Sequence, residues 1–157
     1  MRFVRALRGS YASPMDLVDL EPGDERLERD VLPVLLELRP HLTAASFAEI
    51  YAEGHREGLR YTAAFDGGRC LGVAGWRFVS TTAFGRKLYV DDLVTTESDR
   101  SHGVGRVLLD ELTRRAVEAG CSVIDLDSAV HRHDAHRFYF RERMQIAAHH
   151  FLKRIDG

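Results

Sequence analysis

The residues that most clearly suggest chemistry form a glycine-containing stretch two thirds of the way along the chain. Arg100-Ser101-His102-Gly103-Val104-Gly105-Arg106 lies between a run predicted to be a strand and a run predicted to be a helix. At such a junction the first backbone N–H groups have no acceptor within the helix, and the helix dipole adds partial positive charge. The glycines keep side chains out of the way of an approaching diphosphate. This stretch, the anion loop, is therefore predicted to bind phosphate groups.

The anion loop does not match the two common nucleotide-binding motifs. A Walker A loop is excluded because no Gly-Lys-Ser/Thr follows the first glycine. The Rossmann pattern is incomplete because Leu108 occupies its third glycine position. The phosphate group is therefore expected to belong to another kind of ligand.

Three carboxylates fall on predicted strands, where half-buried residues are more often apolar. Asp91 and Asp92 directly precede Leu93-Val94-Thr95, and Asp127 ends a later strand. Aspartate is disfavoured in strands, so these positions are candidates for a general base or for attracting a cationic amine. Because side chains alternate along a strand, we expect Asp91 and Asp92 to lie on opposite faces, with only one reaching a cleft directly.

A histidine cluster offers an alternative chemistry. His131, His133 and His136, with Asp134 between them, nearly reproduce the His-x-His-x-Asp-His pattern of metal-dependent hydrolases, but the aspartate is one place early. Further ligands would have to come from distant loops of a larger fold, and Asp134 is expected to cap the last helix instead. No metal is therefore expected, and a metal-dependent hydrolase is the alternative reading.

The elements that must position these residues follow from hydrophobic periodicity and turn residues. Strand and helix patterns alternate in the order β-α-α-β-β-β-α-β-α-β, with hairpins in the first half and strand-helix-strand crossovers in the second. The predicted segments are a strand at 16–20, two helices within 24–58, strands at 59–65, 70–79 and 87–95, a helix at 103–119, a strand at 123–127, a helix at 134–143 and a strand at 145–153. This order predicts a mixed α/β sheet flanked by helices.

Two of these stretches, in register, resemble the GNAT superfamily of N-acetyltransferases. Leu93-Val94-Thr95 followed by Arg100-x-x-Gly103-x-Gly105 is similar to its acetyl-CoA signature, and Ala135-His136-Arg137-Phe138-Tyr139 to its Ala-x-x-hydrophobic-Tyr helix. The resemblance covers about residues 15 to 155. It implies a single-domain, mostly antiparallel sheet with a central V-shaped splay, in which the strand of Leu93-Val94-Thr95 carries a β-bulge and pairs with the pantetheine arm.

The resemblance also implies roles for individual residues. Tyr139 matches the acid that protonates the departing thiolate. Asp91 resembles the carboxylate of polyamine-acetylating relatives and is the first choice for the base; Asp127 resembles the base of relatives that acetylate protein N-termini and is the second. The implied cofactor contacts are the backbone of Leu93, Val94 and Thr95 and the anion loop, Arg100, Ser101, His102, Gly103, Val104, Gly105 and Arg106. The chain departs from the family at Arg132, often Asn, and at Arg143-Met144, often Gly-Phe.

Composition narrows the partners. The 22 Lys and Arg residues nearly balance 24 Asp and Glu, so the net charge of -2 gives no general attraction to nucleic acid or to anionic membranes. The two cysteines lie far apart, with no Cys-x-x-Cys or zinc-finger spacing, which fits a reducing compartment better than a secreted disulfide scaffold. A cytoplasmic protein is therefore expected. Residues 1–14 are expected to be an N-terminal tail and 15–157 the acetyltransferase domain, with homodimerisation possible. The expected substrates are acetyl-CoA and an unidentified primary amine; a non-catalytic acyl-CoA-binding module stays open as another class.

Overall fold

The structure is a computed structural model that describes residues 4–7, 14–100 and 102–155. A π-helical turn, Leu27–Val31, runs directly into the first α-helix. A 3₁₀ turn, Glu97–Asp99, precedes the third. The strands and helices are β1 (Val4–Leu7), β2 (Met15–Leu20), α1 (Leu32–Leu36), α2 (Ala44–Arg56), β3 (Arg60–Asp66), β4 (Arg69–Thr81), β5 (Gly85–Thr95), α3 (Val104–Glu118), β6 (Val123–Leu126) and α4 (His133–Arg141).

Within the described ranges, six strands form one sheet in the order β1-β2-β3-β4-β5-β6. The pairings from β1 to β5 are all antiparallel, as the hairpin signals predicted. The turn between β3 and β4 is Gly67-Gly68, and both glycines have positive φ. One face of the sheet packs against α1 and α2 through a core that includes Tyr51, Tyr61 and Val73. On the other face α3 lies against β3, β4 and β5.

A β-bulge lies in β5, as the resemblance predicted. Gly75 pairs with Asp92, whereas the next residue of β4, Trp76, pairs with Val90. Asp91 is therefore the extra residue of the bulge, opposite no residue of β4. Because a bulge interrupts the alternation of side chains, the positions of Asp91 and Asp92 do not follow the simple rule used in the sequence analysis.

Three helices end in the same way, with one exception in residue type. After α2 and α3 the chain turns through Gly58 and Gly120 in the left-handed region. After α4 this position is Arg143, with φ 62 and with the Met144 amide donating to the carbonyl of Tyr139 at 2.9 Å. The turn that the family makes with Gly-Phe is thus formed here with a non-glycine residue, at a cost of about 1 kcal/mol.

The predicted last strand, 145–153, is wrong. Residues 144–155 have no regular secondary structure. After Met144 their apolar side chains are exposed; Ile146, Phe151 and Leu152 are examples. Alternating apolar residues form a strand only where a neighbouring strand and a core take up their backbone and side chains. The alternation alone therefore did not identify a strand here.

The N-terminal segment also differs from expectation. Val4–Leu7 pairs with β2 as the first strand of the sheet, so part of the segment interpreted as a tail is a sheet element. The other residues of this segment, 1–3 and 8–13, lie outside the described ranges. The chain forms two compact units, one ending at Asp125 and one beginning at Leu126. The division into a tail and one domain from residue 15, and the V-shaped splay, stay predictions.

Candidate functional site

The anion loop is supported by one buried carboxylate, Asp99. Its side chain accepts two hydrogen bonds from Arg69, both at 3.0 Å, one from Thr96 Oγ1 at 2.8 Å and one from Ser98 Oγ at 2.7 Å. Its carbonyl accepts from the His102 amide at 3.4 Å. Asp99 is only 6% exposed. The turn that leads into the loop is therefore fixed by a carboxylate that the sequence analysis did not identify.

Gly103 sets the shape of the anion loop at the start of α3. It is the N-cap of α3 with φ 89, a left-handed conformation that favours glycine. The first bond within α3 runs from the Val107 amide to the Gly103 carbonyl at 3.0 Å, so the amides of the first turn have no acceptor inside the helix. Ser101 lies outside the described residues. The backbone of this turn suits an anionic group that approaches along the helix axis.

Close packing brings α3 to the sheet at this point. A Cβ at Gly72 would lie 2.7 Å from Cγ1 of Val104, so glycine at this position lets the first turn of α3 approach β4. Thr96 N donates to Leu71 O at 2.9 Å and ties the start of the loop to the same strand. Of the three predicted strand contacts, Val94 is buried, and Leu93 and Thr95 are half-buried. The loop thus begins and ends on fixed elements.

Glu37, at the end of α1, links the first helix to the loop. Its Oε2 accepts from the Glu97 amide at 2.9 Å and lies 3.6 Å from Nη2 of Arg100. A cavity of about 540 Å³ adjoins this link, lined by residues that include Glu37, Arg69 and Thr96. Glu37 accepts from the Glu97 amide, and Arg69 and Thr96 donate to Asp99. A molecule in the cavity would therefore contact residues that set the position of the loop.

The acidic pair, Asp91 and Asp92, lies on the α2 side of the sheet. Asp91 accepts from Nε and Nη2 of Arg77 at 2.9 and 2.8 Å, and Arg77 also lies 3.7 Å from Glu57 at the end of α2. Asp92 accepts from the hydroxyl of Tyr61, which packs against α2. The expectation that the two aspartates lie on opposite faces is therefore wrong, because the bulge at Asp91 turns both toward the same side.

Burial and charge act on this pair in opposite directions. Burial raises the pKa of Asp91; the hydrogen bonds and charge of Arg77 lower it, the charge of Asp92 raises it, and the net result is a raised pKa. Burial, followed by the charge of Asp92, raises the pKa of Tyr61. Gly75 makes room for the side chains of Tyr61 and Asp92, since a Cβ at residue 75 would lie 2.8 Å from Cε1 of Tyr61. The raised pKa makes the carboxylate of Asp91 a stronger proton acceptor than an unperturbed aspartate.

The other face of the sheet holds a second polar group, centred on Glu111. This side chain is 2% exposed and accepts from Arg114 and Arg115 at distances between 2.7 and 2.9 Å. Arg115 also bonds to Asp19 and lies over the ring of Trp76, 5.1 Å from its centroid. Glu111 falls on the apolar stripe of α3, a signal that the sequence analysis did not use.

In the second unit, Tyr139 is half-buried on α4. Burial raises its pKa, and the nearby charge of Arg132 lowers it less strongly. A phenol with a raised pKa stays protonated at neutral pH, as a proton donor must. Asp127, the second choice for the base, is exposed and lies 3.4 Å from Nδ1 of His150. Its role stays a prediction.

The histidine cluster does not assemble as a metal site within the described parts of the chain. No three His, Cys, Asp or Glu side chains there lie close enough together to hold a metal ion. Nε2 of His136 is 3.0 Å from the carbonyl of Ala129. Asp134 does not cap α4: the helix begins at His133, and Asp134 accepts from Arg137 within the first turn at 3.0 Å. Asp134 is the second residue of the helix, two positions after the N-cap residue Arg132, so it cannot serve as the cap.

None of the described helices has the length and apolar character needed to cross a bilayer. The model of the acetyltransferase (GNAT) family matches residues 25–144. YhdJ, an uncharacterized N-acetyltransferase of Bacillus subtilis (strain 168), is 32% identical over 108 residues, which make up 68% of this chain and 76% of that protein.

Solved structures give a consistent fold. An acetyltransferase of Trypanosoma brucei superposes with a TM-score of 0.68 and 26% identity, over 91% of this chain and 99% of that one. AAC(6′)-Iy, in complex with the bisubstrate analogue CoA-S-monomethyl-acetylneamine, superposes with a TM-score of 0.74 and 14% identity, over 91% of this chain and 99% of that one. At 14% identity the second comparison shows a common fold.

Proposed function

The chain belongs to the acetyltransferase (GNAT) family and is an acyl-CoA-dependent N-acetyltransferase; we propose that it transfers the acetyl group of acetyl-CoA to a primary amine by direct attack. The amine nitrogen attacks the carbonyl carbon of the thioester, and the C–N bond forms as the C–S bond breaks. The nitrogen loses a proton to a base, and the departing thiolate takes one from an acid. No acetyl-enzyme intermediate is involved.

The anion loop is the observation that carries the proposal. Gly103 lies in the left-handed region at the N-cap of α3, where the backbone amides of the first turn have no acceptor inside the helix, and Asp99 fixes the preceding turn. A diphosphate is the anion of the acetyl-CoA molecule that such a backbone suits. We therefore assign its pyrophosphate to residues 100–106 and its pantetheine arm to the backbone of Leu93-Val94-Thr95.

The acid and base are assigned from the family motif together with the local environment. Tyr139 is the proposed acid, supported by its match to the family motif and by its half-buried place on α4. Asp91 is the proposed base, supported by its raised pKa and its place at the bulge, with Asp127 as the second choice. The negative charge of Asp91 and Asp92 favours an acceptor with a cationic nitrogen. The AAC(6′)-Iy complex, whose analogue joins CoA to an acetylated neamine, supports polycationic amines as one class to test.

The first experiment measures CoA binding by calorimetry in two glycine variants. Gly103→Val places a branched side chain in a left-handed conformation at the loop, so it should weaken CoA binding by more than about tenfold, about 1.4 kcal/mol. Gly120→Val is the matched control, because Gly120 has φ 70 at the opposite end of the same helix. Equal CoA affinity in the two variants would remove the loop assignment.

The second experiment screens amines with acetyl-CoA and detects the released thiol. Acetylation of at least one primary amine is expected, at a rate that a chelator does not change. Tight CoA binding without turnover on any amine would favour a non-catalytic binding module. Stoichiometric metal that is lost together with activity in His133→Ala would favour the hydrolase.

A further inference from the structure

Arg39 covers the carboxylate of Asp92. Its Nε and Nη2 both lie 3.0 Å from Oδ1 of Asp92, and Nη2 is 3.5 Å from the carbonyl of Asp91. The other oxygen, Oδ2, accepts from the hydroxyl of Tyr61 at 3.2 Å. One oxygen is thus held by a buried tyrosine of the sheet, and the other by a guanidinium that comes from outside the sheet.

The two arginines of the acidic pair are held very differently. Arg77 belongs to β4 and pairs with Asp91 through two nitrogens and two oxygens. Arg39 belongs to the irregular connection between α1 and α2, residues 37–43, and its side chain is 46% exposed, whereas that of Asp92 is 13% exposed. Arg39 can therefore leave the carboxylate by turning its own side chain into solvent, without disturbing a strand or a helix.

The connection that carries Arg39 is fixed just before it. Glu37 accepts from the Glu97 amide at 2.9 Å, and Leu38 and Arg39 donate their amides to the carbonyl of Leu35. The backbone of Arg39 therefore stays beside the acidic pair when its side chain moves. A cation on such a short tether has a high effective concentration at the carboxylate.

We propose that Arg39 is a built-in competitor of the acceptor. It neutralises Asp92 while no acceptor is bound, and a cationic nitrogen of the acceptor replaces it on Oδ1. Oδ1 already accepts from both nitrogens of Arg39, so a cationic nitrogen of the acceptor binds this oxygen only as the guanidinium leaves it. The inference rests on the proposed function and names its acceptor class: amines that carry positive charge, which displace the guanidinium, rather than neutral amines, which do not.

The test measures binding of a charged probe to the full chain saturated with CoA. The probe is 1,4-diaminobutane, and 1,4-butanediol serves as its neutral counterpart. Arg39→Gln shortens the side chain, keeps it polar and removes the competing charge, so the diamine should bind roughly fivefold more tightly than to the wild type. The diol should bind the two proteins equally. Adding Asp92→Asn to Arg39→Gln should abolish the gain.

Arg114→Gln is the matched control. Arg114 is 47% exposed and pairs with a nearly buried carboxylate, that of Glu111, on the opposite face of the sheet. The Arg114→Gln variant removes the same charge from a similarly exposed position, but away from Asp92. Diamine affinity should therefore stay unchanged. An equal gain in Arg114→Gln would assign the effect to net charge and overturn the proposal.

Two further outcomes decide the proposal. Unchanged or weaker diamine binding in Arg39→Gln, or no diamine binding to any variant, overturns it. If Arg39→Gln does not fold, Arg39→Lys keeps a cation but loses the second nitrogen on Oδ1, and a smaller gain is expected. Failure of the proposed function is recognised separately, because it shows as an absence of thiol release by the wild type, while this test reads binding alone.

Discussion

The two faces of the sheet both carry partly buried carboxylates with arginine partners, but the partners belong to different kinds of elements. On the α3 face, Glu111 is held by two arginines of its own helix, and Arg115 is itself covered by Trp76. On the α2 face, Asp92 is held by Arg39 from an irregular connection. The two carboxylates thus differ in what carries the arginine, a helix on one face and an irregular connection on the other.

The pKa shifts follow the same division. Burial pushes the pKa of Glu111 upward, but hydrogen bonds from Arg114 and Arg115 outweigh it, and the net pKa is lowered. At Asp91 burial outweighs Arg77, and the net pKa is raised. The carboxylate of Glu111 is thus stabilised as an anion by a closed network, whereas that of Asp91 is easier to protonate than an unperturbed aspartate.

The largest expected effect is on stability. Glu111→Ala leaves the guanidinium of Arg115 buried without its main partner, so the free energy of unfolding should fall by about 3–5 kcal/mol. Urea denaturation measures this change, and CoA affinity of the folded fraction should stay the same. Arg114→Ala is the control, expected to cost less than about 1 kcal/mol because Arg115 still holds Glu111. Similar losses in the two variants would contradict the closed network.

The next effect is on turnover. Tyr139→Phe keeps the shape of the ring and removes the proton, so turnover on a good amine should fall by on the order of 100-fold, about 2.7 kcal/mol, while CoA affinity changes little. Steady-state kinetics and calorimetry measure the two quantities. This result would place the chemistry outside the closed network. Near-normal turnover would show that Tyr139 is not the acid.

The third effect tests the base on the α2 face. Asp91→Asn should lower turnover at neutral pH by at least about tenfold, with recovery toward high pH, where more of the acceptor amine is already neutral. The pH dependence of turnover is the measurement, and Asp127→Asn is measured beside it. Recovery in Asp127→Asn alone would move the base to Asp127 and leave the α2 face with acceptor binding only.

The smallest effect is a difference in the sign of two pH dependences of stability. The pKa of Glu111 is lowered on folding, so its contribution is present above pH 4.5 and is lost as the pH falls. The pKa of Asp91 is raised on folding, so stability present below pH 3.8 is lost as the pH rises. As the pH rises from about 3 to 7, Glu111→Gln should therefore lose stability relative to the wild type, and Asp91→Asn should gain. Urea denaturation across this range checks both slopes, and slopes of the same sign would contradict the contrast.

Local patterns in the sequence predicted most of the fold. Period-two runs with Gly67-Gly68 between them gave the hairpin, and the four-residue repeat from Val104 to Ala116 gave α3. These elements are specified by residues close together in the chain. The strand predicted at 145–153 failed because its alternation depended on a neighbouring strand, which no local pattern reveals.

The site was predicted less completely, for a similar reason. Gly103 was proposed from the glycine pattern and Asp91 because aspartate is unusual in a strand, and the roles of both stay predictions. Asp99 and Arg39 were missed because their roles depend on partners far away in the chain: Arg69 for the first and Asp92 for the second. The facing of Asp92 was mispredicted because a bulge is a property of two paired strands and is not visible in one of them.

The bulge at Asp91 has a consequence for insertions and deletions. Every residue of β5 on either side of it has a partner in β4, from Gly85 with Thr81 to Thr95 with Gly72, and Asp91 alone has none. A chain from which residue 91 is deleted would keep all of these pairings, and each remaining side chain would keep its face. The pairing of β4 with β5 thus does not depend on residue 91, and the register of the sheet does not fix the type of side chain at this position.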